Sequence, residues 1–179
     1  IPYRYPEPHR VVNLARMVGV EIIGDMELFA RAVNALPLHS RPKIVGVTGT
    51  NGKSTTTSLI GHVLKKAGKD VRVGGNIGVG VLDMAPLHAN SIYVLELSSY
   101  QLDLVESLKC DVAVLLNVTP DHLERHGGFA GYMAAKRRIF DNQTHADFAI
   151  IGMDAPATQA TMMSLKSKDK QQVIGVSSN

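Results

Sequence analysis

The stretch Gly49-Thr50-Asn51-Gly52-Lys53-Ser54-Thr55 carries the residue types that phosphate chemistry needs. It follows the apolar run 43–48, which reads as a buried strand, and it opens a segment with helical spacing. Glycines let backbone N–H groups close around phosphate oxygens, and a helix N-terminus adds favourable positive potential. In that setting Lys53 reaches the β- and γ-phosphates of a nucleotide, and the Ser54 hydroxyl ligates Mg²⁺. One position departs from the common phosphate-loop pattern. Val47 stands where that pattern has its first glycine, and Gly49 sits inside the loop instead.

Three further residues could do chemistry. The run 92–97 places Glu96 at the end of a buried strand, where a carboxylate needs a counter-charge and Mg²⁺ on ATP supplies one. A surface or capping glutamate is the plainer alternative. The run 112–118 leads into Thr119-Pro120-Asp121-His122. A lone histidine is as readily structural as a ligand, and only its place beyond a strand makes His122 a candidate. Lys136 is the most unusual. Phe129, Tyr132, Met133 and Phe140 point one way on a helix, and Lys136 falls in the middle of their stripe, while Arg138 points the opposite way. Such a lysine either snorkels to water or has its charge used or removed. Burial lowers a lysine pKa, and a neutral amine reacts with CO₂ to give an anionic carbamate that can ligate a metal.

These residues need elements to position them. Strands are expected at 20–23, 43–48, 71–73, 92–97, 112–118, 148–151 and 173–176. Helices are expected at 11–18, at 26–35 with Asp25 as N-cap, at 103–108, at 129–140, and after the phosphate loop. On that last helix Leu59, Ile60, Val63, Leu64 and Ala67 share a face and Gly68 ends it. The opening residues 1–9 are proline-rich and expected to be extended, and 36–42 to be a linker. Short apolar strands alternating with helices predict an α/β fold with a mostly parallel sheet covered on both faces. Ligands in such folds bind beyond the carboxyl ends of the strands, where the candidates fall.

Composition limits the alternatives. Apolar residues make up 45% of the 179, enough to bury a core, so disorder is excluded as the organising state. A net charge of +3 without a dense Lys/Arg block argues against a dedicated nucleic-acid surface. Apolar runs are too short for a membrane span, and no signal-peptide pattern opens the chain. The single cysteine, Cys110, fits a reducing, cytoplasmic setting. Asn117-Val-Thr119 and Asn142-Gln-Thr144 match the glycosylation pattern, and without secretion both read as chance.

Thr48-Gly-Thr-Asn-Gly-Lys-Ser54 resembles the phosphate loop of the Mur ligases and the folylpolyglutamate synthases, which depart from the strict pattern in the same way. Gly74-Gly-Asn-Ile-Gly78, Leu95-Glu-Leu-Ser-Ser-Tyr-Gln-Leu102 and Leu116-Asn-Val-Thr-Pro-Asp-His-Leu-Glu-Arg125 resemble the D-glutamate-adding branch of the Mur family. The resemblance runs from about residue 20 to about residue 151. It implies an ATP-dependent amide ligase of peptidoglycan precursor synthesis, which couples D-glutamate to UDP-N-acetylmuramoyl-L-alanine through an acyl phosphate. Glu96 then resembles the glutamate that shares a first Mg²⁺ with Ser54. His122 resembles the histidine of a second Mg²⁺ site, and Lys136, in Ala134-Ala-Lys136, the lysine that is carbamylated in several members. Asn76 and His122 fall where the family meets the UDP-sugar substrate. Read alone, residues 74–80 are only a glycine-rich turn.

The resemblance further implies that residues 1–38 are the tail of a preceding substrate-binding α/β domain plus linker. Residues 39–179 are then an ATP-binding central domain, incomplete at its C-terminal end. On that reading the isolated chain is expected to be inactive. A folylpolyglutamate-type ligase is the competing enzyme, against which Ser98-Ser-Tyr-Gln101 argues. A nucleotide-binding module without ligase activity is the competing non-enzyme.

Overall fold

The structure, a computed structural model, describes residues 9–178. Most of the segment expected to be extended, residues 1–8, lies outside the described residues. Helices α1 (Arg10–Met17) and α2 (Asp25–Asn34) come first. They are followed by β1 (Lys43–Thr48), α3 (Lys53–Lys66), β2 (Asp70–Gly75), β3 (Ser91–Glu96), α4 (Ser99–Asp103) and β4 (Val112–Leu115). Helices α5 (Leu123–His126) and α6 (Phe129–Arg137), strand β5 (Phe148–Gly152), helix α7 (Pro156–Lys168) and strand β6 (Gln172–Val176) complete the order. The strands form one all-parallel sheet in the order β2-β3-β1-β4-β5-β6.

That order puts β1 between β3 and β4, with Val47 in register with Glu96 and Thr48 with Leu115. The chain leaves β1 toward one edge and later crosses back to the other side. The carboxyl ends of β1, β3 and β4 therefore open into one crevice, the place where ligands bind in such sheets.

One face of the sheet is fully packed. Ile44, Tyr93, Leu95, Ala113, Leu115, Ala149 and Ile151 meet Met26 and Phe29 of α2, Leu102 of α4, Tyr132 of α6, Ile139, Phe140 and Leu165 of α7. A fully buried leucine such as Leu102 or Leu115 contributes about 1.5–3 kcal/mol. On the other face α3 covers β2, β3 and β1, and Gly61 lets the helix approach closely. A Cβ at Gly61 would lie 2.3 Å from Val73 Cγ2.

Several expectations need correction. Residues 20–23 form no strand, and Gly24, not Asp25, is the N-cap of α2; Asp25 is its first helical residue, favourably placed at the positive end of the helix. The helix expected at 103–108 lies upstream at Ser99–Asp103, because Ser98 and Gln101 form a capping box that starts it earlier. The face of α3 turned to the sheet carries Thr57 and Gly61, while Leu59 and Val63 are exposed. Helices flank both faces of the sheet as expected, but on the α3 side the cover is partial. Val45, Val112 and Ile150 line an open apolar concavity of about 740 Å³. Helix α7 had no sequence expectation at all.

Candidate active site

The site is assembled on the three strand ends. After β1 the chain turns through the phosphate loop, where Gly52 adopts φ +81° as N-cap of α3. That left-handed conformation costs a residue with a Cβ about 1–2 kcal/mol. The first intrahelical bond runs from the Thr56 N–H to the Gly52 carbonyl. By helix geometry the amides of Gly52, Lys53, Ser54 and Thr55 are then the ones without intrahelical acceptors, aimed out of the N-terminus. The Lys53 ammonium is folded over its own loop and donates to the Thr50 carbonyl at 2.8 Å.

At the end of β3, Glu96 is buried to 2% exposure. Its Oε1 accepts from the Asn76 amide at 2.8 Å, and the Asn76 N–H donates to the Glu96 carbonyl. Its Oε2 is buried without a hydrogen-bond partner. An orphaned buried carboxylate oxygen is expensive unless something electropositive meets it. The donor fits a hard divalent cation, with Ser54 Oγ, phosphate oxygens and water completing the shell. Among the described residues no three His, Cys, Asp or Glu side chains converge as a ready-made metal cage.

Beyond β4, His122 has φ +49°, one of two non-glycine residues with positive φ among those described. Residues held in that region cluster at functional sites. Its imidazole is half-exposed, 3.6 Å from Asp121 Oδ2, and stands edge-on to the Tyr100 ring at 5.1 Å.

Helix α6 turns Tyr132 and Lys136 inward. Lys136 is 1% exposed, donates to the Gly49 carbonyl at 2.8 Å and lies 4.6 Å from the centre of the Tyr132 ring. Burial, with the nearby positive charge of Lys53, pulls its pKa down from 10.5 to about 8. Lys53, Asn76, Asp121, His122, Tyr132 and Lys136 line one cleft of about 250 Å³, together with Ser98, Ser99 and Tyr100. A larger concavity of about 530 Å³ opens at the amino end of β1, lined by Arg41, Lys43 and Asp111, away from this chemistry.

The structure thus brings Lys53, Asn76, His122 and Lys136 to one cleft, with Glu96 bonded to Asn76 at its edge. Sequence reasoning missed Thr50 as a hub and treated Tyr132 as packing alone. Thr50 Oγ1 donates to the Thr119 carbonyl, accepts from the Thr119 N–H at 3.0 Å, and lies 3.2 Å from the Tyr132 hydroxyl. A tyrosine inside an apolar stripe was the available signal, since its hydroxyl needs a partner when buried. Also missed was a buried trio behind the cleft: His126 Nε2 is 3.0 Å from Ser99 Oγ, and His126 Nδ1 is 3.8 Å from Asp103 Oδ2. Burial pulls the His126 pKa down.

The UDP-N-acetylmuramoylalanine--D-glutamate ligase of Caulobacter sp. (strain K31) is 56% identical over 177 residues, which is 99% of this chain and 38% of that protein. The protein of the same name from Caulobacter vibrioides (strain NA1000 / CB15N) is 64% identical over 154 residues, 86% of this chain and 33% of its own. The chain therefore spans little more than a third of the length of these relatives. A solved UDP-N-acetylmuramoyl-L-alanyl-D-glutamate--2,6-diaminopimelate ligase superimposes with a TM-score of 0.63 at 25% identity, covering 85% of this chain and 35% of its own. The fold also matches the MurF ligase of Thermotoga maritima, solved in complex with ADP, at a TM-score of 0.60 and 23% identity over 86% of this chain and 36% of that one. The sequence profile described as the Mur ligase middle domain matches residues 47–179, and the chain belongs to the Mur ligase family.

Proposed function

We propose that this chain is the nucleotide-binding core of an ATP-dependent ligase that joins D-glutamate to UDP-N-acetylmuramoyl-L-alanine. The observation that carries the reading is the buried, unpartnered Glu96 Oε2 beside a cleft that also holds Lys53 and Lys136. The names of the relatives supply the substrates. A carboxylate is a poor acylating agent. Its oxygen therefore attacks the γ-phosphorus of ATP, ADP leaves, and the acyl phosphate so formed is attacked by the amine with loss of phosphate and a proton.

The residues divide that work. Gly49, Thr50 and Asn51 shape the loop, and the amides of Gly52, Lys53, Ser54 and Thr55 receive the phosphates. Lys53 exchanges its Thr50 carbonyl for a phosphate oxygen and neutralises charge as it develops. Ser54 and Glu96 hold one Mg²⁺, and His122 with a carbamylated Lys136 holds a second. Bound there, Mg²⁺ screens the phosphates and aligns them for transfer. Asn76 orients Glu96 and, with His122, faces the UDP-sugar substrate. The carbamate of Lys136 retains one N–H for the Gly49 carbonyl and replaces repulsion from Lys53 with attraction. Residues 1–38 serve as the tail of a preceding domain and linker, and 39–179 as the ATP-binding unit. No described helix is long and apolar enough to cross a membrane.

A chimera tests the reading. This chain replaces its counterpart in the Caulobacter sp. relative, and ADP formation is measured with UDP-N-acetylmuramoyl-L-alanine and each of several amino acids. Turnover that requires D-glutamate is expected. A folded chimera that turns over only with a pteroate substrate, or with none, sinks the proposal.

A further inference from the structure

Asn117 and Thr119, a chance glycosylation match in the sequence, turn out to hold the phosphate loop. Asn117 Oδ1 accepts from the Asn51 N–H at 2.9 Å, and Asn117 Nδ2 donates to the Asn51 carbonyl at 3.0 Å. Its backbone carbonyl takes the Thr50 N–H at 3.0 Å. One residue at the end of β4 thus engages three backbone groups of the loop that follows β1. Thr119 adds its N–H and carbonyl to the Thr50 hydroxyl.

We infer that Asn117 is a positioning residue for nucleotide binding: its amide clamps Asn51 so that the phosphates fall to the amides of Gly52 to Thr55. The inference rests on the reading that this loop binds phosphate. Its logic is one of allocation. With the Asn51 N–H committed to the Asn117 side chain and the Thr50 N–H to its carbonyl, these two loop amides are withheld from a ligand. The consecutive amides at the α3 N-terminus, which lack intrahelical acceptors, are the donors offered to the phosphates. The clamp also substitutes for a missing constraint. Val47, where the common pattern has glycine, is a buried strand residue, so the loop is short and must be held from outside. A side-chain amide suits this because it offers a donor and an acceptor side by side, matching the Asn51 carbonyl and N–H. A carboxylate there keeps the acceptor, sets an oxygen against the Asn51 carbonyl and brings negative charge toward the phosphates.

The test uses the full chain: wild type, Asn117→Ala, Asn117→Asp and Lys53→Ala. Binding of Mg·ADP, Mg·pyrophosphate and adenosine is measured by calorimetry, and amide hydrogen exchange is followed without ligand. For Asn117→Ala the expected result is a loss of about tenfold for both phosphate ligands and none for adenosine. Exchange should quicken at the Asn51 amide but not at Thr50, whose acceptor is backbone. Asn117→Asp should bind the phosphate ligands more weakly still. Wild-type affinity in Asn117→Ala, with Lys53→Ala impaired, overturns this inference alone. Equal binding by wild type and Lys53→Ala overturns the phosphate-loop reading and this inference with it. An equal loss for adenosine, or failure of both Asn117 variants to fold, overturns it too, since Asn117 would then be a general folding residue.

Discussion

Lys136 Nζ donates to the Gly49 carbonyl at 2.8 Å, joining helix α6 to a loop 87 positions earlier in the chain. The ammonium is buried beside a second cation, and its pKa is pulled from 10.5 to about 8 by burial and by Lys53. The folded state therefore binds fewer protons than the unfolded state between those values, so stability rises with pH across that window. The full effect is about 3 kcal/mol. Urea melts of wild type and Lys136→Met at pH 7 and pH 10 check this. Wild type should gain about 2–3 kcal/mol relative to the variant on going to the higher pH. A gap that does not change with pH would mean that the amine is solvated.

The same depression leaves a usable fraction of neutral amine near neutral pH, the form that adds CO₂. In the chimera with the Caulobacter sp. relative, ¹³C-labelled bicarbonate should give a carbamate resonance that disappears in Lys136→Ala. That variant should lose about 10²-fold or more in kcat, the order expected when a group stabilising transition-state charge is removed. Formate or acetate should restore part of it by supplying the missing carboxylate. Unchanged kcat, or no response to added carboxylate together with no labelled signal in wild type, would defeat the carbamate reading.

Lys136 was legible because one charged residue interrupted a helical apolar stripe, and a period is a one-dimensional signal. Strand β1 was legible for the same reason and has the expected bounds, Lys43–Thr48. Helix α7 was not, because its inward positions include Thr158 and Thr161, whose hydroxyls bond back to the carbonyls of Ala155 and Ala157. Polar residues satisfied by their own helix look exposed in a sequence. The sequence placed a helix at 103–108, and only the Ser98–Gln101 cap shows why it starts earlier. The clamp of Asn117 on Asn51 spans 66 positions and leaves no spacing at all to read.

Glu27 ties helix α2 to the chain beyond α4. It is 1% exposed and accepts from the N–H groups of Glu106 and Ser107, the Ser107 hydroxyl and Arg31. Burial alone would raise its pKa, but these donors outweigh it and hold the carboxyl at about 2. Because the folded pKa lies below the unfolded value of 4.5, the stabilisation is present above pH 4.5 and is lost as pH falls toward 2. It amounts to about 3 kcal/mol. Glu27→Gln should cost about 2–3 kcal/mol at pH 7, with the deficit shrinking below pH 4.5 in denaturant melts. A deficit of the same size at pH 7 and pH 3 would refute the assignment.

Tyr132 does two separable things for the cleft. Its hydroxyl lies 3.2 Å from Thr50 Oγ1, and its ring faces Lys136 Nζ at 4.6 Å from the centroid. Thr50 has a single hydroxyl proton, directed to the Thr119 carbonyl, so the Tyr132 hydroxyl is the donor of their pair. Tyr132→Phe removes that bond and keeps the ring. It should weaken Mg·ADP binding by a few-fold, in line with the net worth of one hydrogen bond at about 0.5–1.5 kcal/mol. It should leave the Lys136 pKa where it is. Tyr132→Leu removes the ring as well, and with it an attraction that favours the charged ammonium. The Lys136 pKa should then fall further below about 8, which ¹⁵N chemical shifts of its Nζ would report across pH. A higher pKa in Tyr132→Leu would mean that the lost bulk lets water reach the amine, and that the ring acts by excluding solvent rather than by its electrostatic face.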